Sequence, residues 1–287
     1  MLDRNAKTKI GIWCYEWIGK NVLPTGFAKH YKSCDVLCPP SEFAKEIFIQ
    51  SGIPSDRMKV IPHGIHKELF QQDTTIKLTD KKFKILTVLS QTHKRKNIAG
   101  LLEAYGKAFT NKDDVSLILK AKNKLIVNPF DVSLNECLKA FYQKYPEHAE
   151  IKVYSDFLED MSILYRSVDC VYTMTHCEAF YFSSIEALAA GKMSVAPNYG
   201  GQLDALNDDN SFLVNGKEVK ADPKSMYWES KSNALWFNPD VDDAAEKLRR
   251  AEREYLKINE ALDKQRDRVY IKYDWGAVSE QFLKLCT

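Results

Sequence analysis

Glu178 and Glu186 flank an aromatic triplet, Phe180-Tyr181-Phe182, and a serine pair, Ser183-Ser184, in the stretch CEAFYFSSIEALAAG. The second glutamate opens an alanine-rich segment of helical composition. Two readings of this spacing stand. In the first, Ser183-Ser184-Ile185-Glu186 is an S-x-x-E capping box, with Glu186 bonding back to the Ser183 backbone and Glu178 simply exposed. In the second, the helix start is an anion site, because its first N–H groups lack intrahelical partners and the helix dipole favours negative charge. A diphosphate would then sit against Phe182–Ser184. Glu186 would accept two hydrogen bonds from a ribose diol, and Glu178 would hold sugar hydroxyls. Two carboxylates beside a diphosphate call for a cation. Lys96, on the loop after a neighbouring strand, offers the point charge that suits phosphate.

The elements that must position these groups read as a soluble α/β chain. It has 287 residues, 45% hydrophobic and 28% charged, enough to bury a core without disulfides or metals. The net charge of +2 argues against a broad basic field for nucleic acid, and His93-Lys94-Arg95-Lys96 by itself reads as a solvated loop. Seven cysteines, an odd number with no C-x-x-C pair, read as reduced thiols. No apolar run approaches a membrane span of ~18–20 residues, and MLDRNAKTK carries no leader core. The expected location is the cytoplasm, in solution or at a membrane surface. G-x-G-x-x-G, the P-loop, H-E-x-x-H and G-x-S-x-G are all missing.

Short apolar runs alternate with helix-period segments. The runs are residues 9–13, 35–38, 59–62, 83–89, 115–119, 151–154, 169–173, 193–196 and 211–214. Between them, SEFAKEIFIQSG has a Ser N-cap and a terminal Gly, and NIAGLLEAYGKAF repeats its apolar residues at i, i+3 and i+4. Repeated β-α-β units predict a mostly parallel, doubly wound Rossmann-type sheet with helices on both faces. The polar stretch 67–82 divides a small α/β unit, residues 1–75, from a larger one, residues 80–245. Residues 246–287 are expected to be helices packing across both. Ligands of such sheets bind beyond the strands' carboxyl ends, where the loops after Leu89 and Thr173 lie.

The chain resembles the retaining glycosyltransferases of family 4, the glycogen-synthase-like group 1 enzymes with a two-lobed GT-B fold. Their hallmark E-G-F-G-L-P-x-x-E-A-M-A-x-G-x-P-V-I-A appears here as EAFYFSSIEALAAGKMSVA. Ala179, Tyr181, Ser183 and Met193 replace its two glycines and two prolines. TVLSQTHKRKNIAGLLEAY is similar to the family's phosphate loop, with Arg95, Lys96 and Asn97 matching, Ser90 in the glycine position and Gln91 where arginine is common. WCYEW, DVLCPPSEFAKEIFIQSGIPSDRMKVIPHGI, NYGGQLDAL and WFNPDVDDAAEKLRR resemble further family segments, in order.

The resemblance implies transfer of a sugar from a nucleotide-diphosphate sugar to a glycan, lipid or protein-linked hydroxyl, with retained configuration and no metal or other cofactor. It implies that Lys96, helped by Arg95, neutralises the diphosphate and that Glu186 holds the ribose. Glu178 would lie by the donor sugar, Phe180–Phe182 would line its pocket, and Phe157 would sit on the loop facing the base. Ser90, Gln91 and Ser183 fall on the donor side, and Glu16 and His63 are acceptor-side candidates. Only about 75 residues precede the linker, whereas a usual first lobe has ~150. A compact enzyme with a reduced N-terminal lobe, a split subunit needing a partner chain, and a nucleotide-sugar-binding module without transfer activity therefore all remain open.

Overall fold

The computed structural model describes residues 7–19, 22–24, 26–121, 131–222 and 233–286. The chain begins with β1 (Ile10–Ile12), α1 (Phe27–Tyr31), β2 (Val36–Cys38), α2 (Glu42–Gln50) and α3 (Lys67–Phe70). β1 and β2 form a parallel pair with Ile10 opposite Val36. Then come β3 (Phe83–Leu89), α4 (Ile98–Ala108), β4 (Val115–Ala121), α5 (Leu134–Lys144), β5 (Glu150–Tyr154) and α6 (Ser162–Arg166). They are followed by β6 (Cys170–Tyr172), α7 (Phe182–Ala189), β7 (Met193–Pro197), β8 (Ser211–Val214), β9 (Gly216–Lys220) and β10 (Leu235–Pro239). Three helices close the chain: α8 (Val241–Asp263), α9 (Arg266–Tyr273) and α10 (Trp275–Leu283).

Six strands make one sheet in the order β5-β4-β3-β6-β7-β8, every neighbouring pair parallel. The central strands are apolar almost throughout because helices cover both faces. Their side chains alternate. Phe83, Ile85, Leu117, Leu119 and Tyr172 join Leu101, Leu102 and Tyr105 of α4 and Leu248 and Tyr255 of α8. Leu86, Ile118 and Val171 point the other way, against Leu164, Tyr165, Ile185, Tyr270 and Tyr273. The chain starts this sheet at β3, winds outward to β5, and returns to lay β6 on the other side of β3. The reversal opens a crevice beyond the carboxyl ends of β3 and β6.

Two elements depart from the sequence reading. Residues 59–62 run beside β2 without forming a strand. Lys59 N–H donates to the Leu37 carbonyl at 3.0 Å and Ile61 N–H to that of Pro39 at 3.0 Å, after which Pro62 has no N–H to continue the ladder. The antiparallel β9–β10 ribbon, pairing Gly216 with Pro239, was not anticipated. It packs Trp236 and Ala234 against Tyr15, Trp17, Leu37, Ile47 and Phe48, and Leu235 N–H bonds to the Ile18 carbonyl at 2.8 Å.

The start of α2 is tied to the larger sheet. Ser41 Oγ accepts from Ala44 N–H at 3.0 Å, the expected N-cap, and donates to the Ala179 carbonyl at 2.5 Å. Ser41→Ala removes both bonds and leaves a buried carbonyl short of a donor. The expected cost is about 1–3 kcal/mol, read as a lower urea midpoint with an unchanged m-value.

Candidate functional site

The loop after β3 turns its cations inward through local backbone chemistry. Ser90 and Gln91 leave the strand exposed. His93, fully buried, accepts the Arg95 N–H on Nδ1 at 3.1 Å and so opens a 3-10 turn over Lys94–Lys96. Asn97 follows in the left-handed region, φ 50°, which asparagine tolerates, and its Oδ1 caps α4 by accepting from Gly100 N–H at 3.2 Å. The loop after β6 is stitched to this turn: the Arg95 carbonyl accepts from His176 N–H at 2.7 Å and from Thr175 Oγ1 at 3.1 Å. From behind, Gly201 N–H donates to the Glu178 carbonyl at 2.8 Å. A Cβ at Gly201 would overlap the Ala179 carbonyl, so only glycine allows this approach.

The result is a buried ionic cluster in the crevice. Lys96 Nζ is 2.5 Å from Glu178 Oε1, and Arg95 Nη1 is 2.7 Å from Glu178 Oε2. Thr175 Oγ1 adds a contact to Glu178 Oε1 at 3.2 Å. Arg95 Nε also lies 3.2 Å from Oε1 of Glu16, in the segment after β1. Glu178 is 5% exposed and Lys96 9%. Burial alone would raise the Glu178 pKa, but Arg95 and Lys96 outweigh it and hold this carboxyl below its ordinary value. Burial lowers the Lys96 ammonium, with Glu178 opposing the shift and Arg95 adding to it. The Tyr181 ring covers Lys96, its centroid 5.7 Å from Nζ.

A second group adjoins the first. His63 stacks on Phe182 at 5.1 Å and 14°, and meets Phe180 edge-on at 5.1 Å. Its Nε2 is 3.5 Å from Cys14 Sγ. Burial lowers the His63 pKa. A third group lies beneath α7. Tyr165 Oη lies 3.0 Å from Ser183 Oγ, and its hydroxyl donates to Glu186, whose carboxyl is pushed up by burial against the lowering effect of Tyr165.

The structure thus brings Lys96, Arg95, Glu178, Glu16 and Tyr181 together, with Phe180, Phe182 and His63 beside them. Ser183 and Glu186 meet through Tyr165. Phe157, on the loop after β5, is 87% exposed. The capping box does not form: Tyr181 is the N-cap of α7, no side chain caps it, and Ser183 is bound to Tyr165 instead. Glu178 is not exposed either, so the purely structural reading of the pair fails at both ends. Sequence reasoning missed Tyr165, Thr175, the Cys14–His63 contact and the Arg95–Glu16 pair, none of which has a local spacing signal. Among the described residues, no three His, Cys, Asp or Glu side chains converge as metal ligands.

This is the architecture of the GT-B glycosyltransferases, with the acidic hallmark and basic loop at the sheet's switch point. The description "Glycosyl transferases group 1" matches residues 70–228, more than half the chain. The chain belongs to this family. It is 23% identical over 256 residues to a lipopolysaccharide 1,2-N-acetylglucosaminetransferase of Salmonella typhimurium, covering 85% of this chain and 59% of that protein. Across the curated relatives it matches, the chain spans about three fifths of their length. Among solved structures, a glycosyltransferase of Rickettsia africae superposes with TM-score 0.71 at 18% identity, covering 96% of this chain and 69% of the other. Anabaena HepE in complex with UDP-glucose gives 0.66 at 16%, with coverages of 88% and 63%. No described helix is long and apolar enough to cross a membrane.

His93 predicts a pH dependence for this group 1 site. Burial first, then Arg95 and Lys96, lower its pKa from 6.5 to about 4. The unfolded chain therefore binds the extra proton between those values and the folded chain does not. The His93 contribution is complete above pH 6.5 and lost as pH falls toward 4. Unfolding free energy measured by urea at pH 7, 6 and 5 should decline, and His93→Asn, which keeps an acceptor for the Arg95 N–H, should flatten that decline.

Proposed function

We propose that this chain transfers a sugar from a nucleoside-diphosphate sugar to a hydroxyl acceptor, with retention of configuration and without a metal ion. The observation that carries the reading is the convergence of Lys96, Arg95 and Glu178 in the crevice between β3 and β6. Two pre-oriented cations can neutralise the departing diphosphate, and electrostatic stabilisation of that leaving group is the main term in such a reaction. A carboxylate at the same place can hold sugar hydroxyls. Glu186, one turn inside α7 with Tyr165 at its back, is suited to a ribose diol. Ser90, Gln91 and Phe157 lie along loops that follow β3 and β5, on the donor side. His63 belongs to the N-terminal segment, which we read as a reduced acceptor lobe, and is poised between Phe182 and Cys14.

The donor must move Tyr181 off the Lys96 ammonium and enter a cluster whose charged groups are buried against each other. This same observation supports the competing reading, a nucleotide-sugar-binding module in which Tyr181 fills the sugar's place. UDP-sugars are the first donors to test, since a UDP-glucose complex is known for a structural relative.

A thermal-shift panel of UDP-, GDP-, ADP- and TDP-sugars should show stabilisation by one base, about 2.7 kcal/mol at a hundredfold excess over Kd. With that donor, Glu178→Gln and Lys96→Ala should each lower the rate of sugar release to acceptor or water by about 10²–10³-fold. Glu178→Gln should still bind the free nucleotide. Nucleotide binding with no turnover in the unsubstituted chain would favour the binding module, and a flat panel would remove both readings.

A further inference from the structure

Glu16 lies between Tyr15 and Trp17, both fully buried, in the segment that follows β1. Its carboxylate reaches across to Arg95 Nε at 3.2 Å. The same guanidinium gives Nη1 to Glu178 Oε2 at 2.7 Å and to the Cys177 carbonyl at 3.2 Å. Arg95 is therefore shared between two carboxylates that come from distant parts of the chain.

The charges in this cluster already cancel. Arg95 and Lys96 contribute two positive charges, Glu16 and Glu178 two negative ones. The buried titratable neighbours add none near neutral pH: burial raises Tyr15 and Cys177, while His93 is lowered to about 4. Lys94 is paired with Asp222 at 3.2 Å. A diphosphate entering here brings at least two more negative charges into a buried place, where unpaired charge is expensive. One of the carboxylates has to yield.

The two are not equivalent. Glu178 is held at two points, by Lys96 and Arg95, at 2.5 and 2.7 Å, and its acid form is disfavoured. Glu16 has a single, longer ion pair among the described residues. Burial raises its carboxyl, with Arg95 and Lys96 opposing and Glu178 adding to the rise. Glu16 also belongs to a different segment from the loop that carries the cations, so it can withdraw without disturbing that loop.

We propose that Glu16 is a built-in competitor for the donor: its carboxylate holds, on Arg95, the place that the donor's diphosphate takes, and donor binding displaces it. The proposal rests on the reading of Arg95 and Lys96 as the phosphate site. Glu16 acts through Arg95, so it is a positioning residue. It offsets the guanidinium's charge, and it sets a threshold that a diphosphate passes more readily than a monophosphate.

Isothermal titration of UDP, UMP and inorganic pyrophosphate into the full chain and its variants tests this. Glu16→Gln should tighten UDP and pyrophosphate by roughly three- to tenfold, and UMP by less. Glu16→Asp, which keeps the charge but shortens its reach, should fall between Glu16→Gln and the unsubstituted chain, and it serves as the second variant should Glu16→Gln fold poorly. In an Arg95→Ala background, Glu16→Gln should bring no gain. A purely structural Glu16 would instead give weaker binding and a lower Tm. Unchanged or weaker UDP binding by folded Glu16→Gln and Glu16→Asp, while the unsubstituted chain binds UDP, overturns the proposal and leaves the phosphate site standing. Failure of every form to bind UDP or pyrophosphate overturns both.

Discussion

The fold around this site is organised by the burial of one carboxylate, Glu178. A charge taken this far from water must be paired and hydrogen-bonded, and removing one partner from a buried ion pair costs about 3–5 kcal/mol. Lys96 and Arg95 together meet that demand. They can do so only if the loop after β3 and the loop after β6 lie side by side. Parallel pairing of β3 with β6 sets that neighbourhood, since Ile85 lies opposite Cys170 and Leu86 opposite Val171. The sheet topology and the ionic cluster are therefore two descriptions of one constraint.

The loops themselves are held by uncharged bonds. His93 accepts the Arg95 N–H, Asn97 caps α4, and the Arg95 carbonyl takes two donors from the opposite loop. Behind them, Gly201 grips the Glu178 carbonyl and Ser41 that of Ala179. Because neutral groups fix the backbone, the charged side chains are free to change partners without unravelling the frame. Such a division suits a site that must receive and release a charged ligand. It also explains why the short N-terminal segment sits firmly against the larger sheet: Ser41, the Ile18–Leu235 bridge and the packing of Val278 on Cys38 and Ile61 all cross the boundary.

What the sequence made legible follows from how each feature is encoded. Phe83–Leu89 and Val115–Ala121 are buried on both faces, so they read as largely apolar runs despite Lys84, Thr87, Ser116 and Lys120. Helix α4 shows its period because one side packs on the sheet while Ala99 and Lys107 face outward. The ribbon strand Gly216–Lys220 was illegible because it is mostly exposed and its composition, GKEVK, has no apolar run. The capping box matched its pattern and failed, because buried Tyr165 offered Ser183 a tertiary partner that local sequence cannot display. In the site, the proximity of Lys96 to Glu178 was readable from strand order plus loop position. The contact between Glu16 and Arg95 was not, since it depends on how the N-terminal segment docks.

That last contact changes how affinity at the crevice should be understood. The cost of taking Arg95 and Lys96 out of water is met during folding, through Glu16 and Glu178, and is not charged again when a ligand arrives. If the proposal above holds, a bound diphosphate would exchange one anion for another, and its affinity would be the difference between two pairings rather than the strength of one. Cations held this way are already oriented when the leaving group develops its charge, which is the condition under which electrostatic stabilisation is strongest. An open, hydrated pair of cations would attract phosphate from further away but would have to reorganise during the reaction. On the proposed reading, a fold that occupies its cations internally would accept weaker ground-state binding and keep their geometry ready for the charge that appears on bond cleavage.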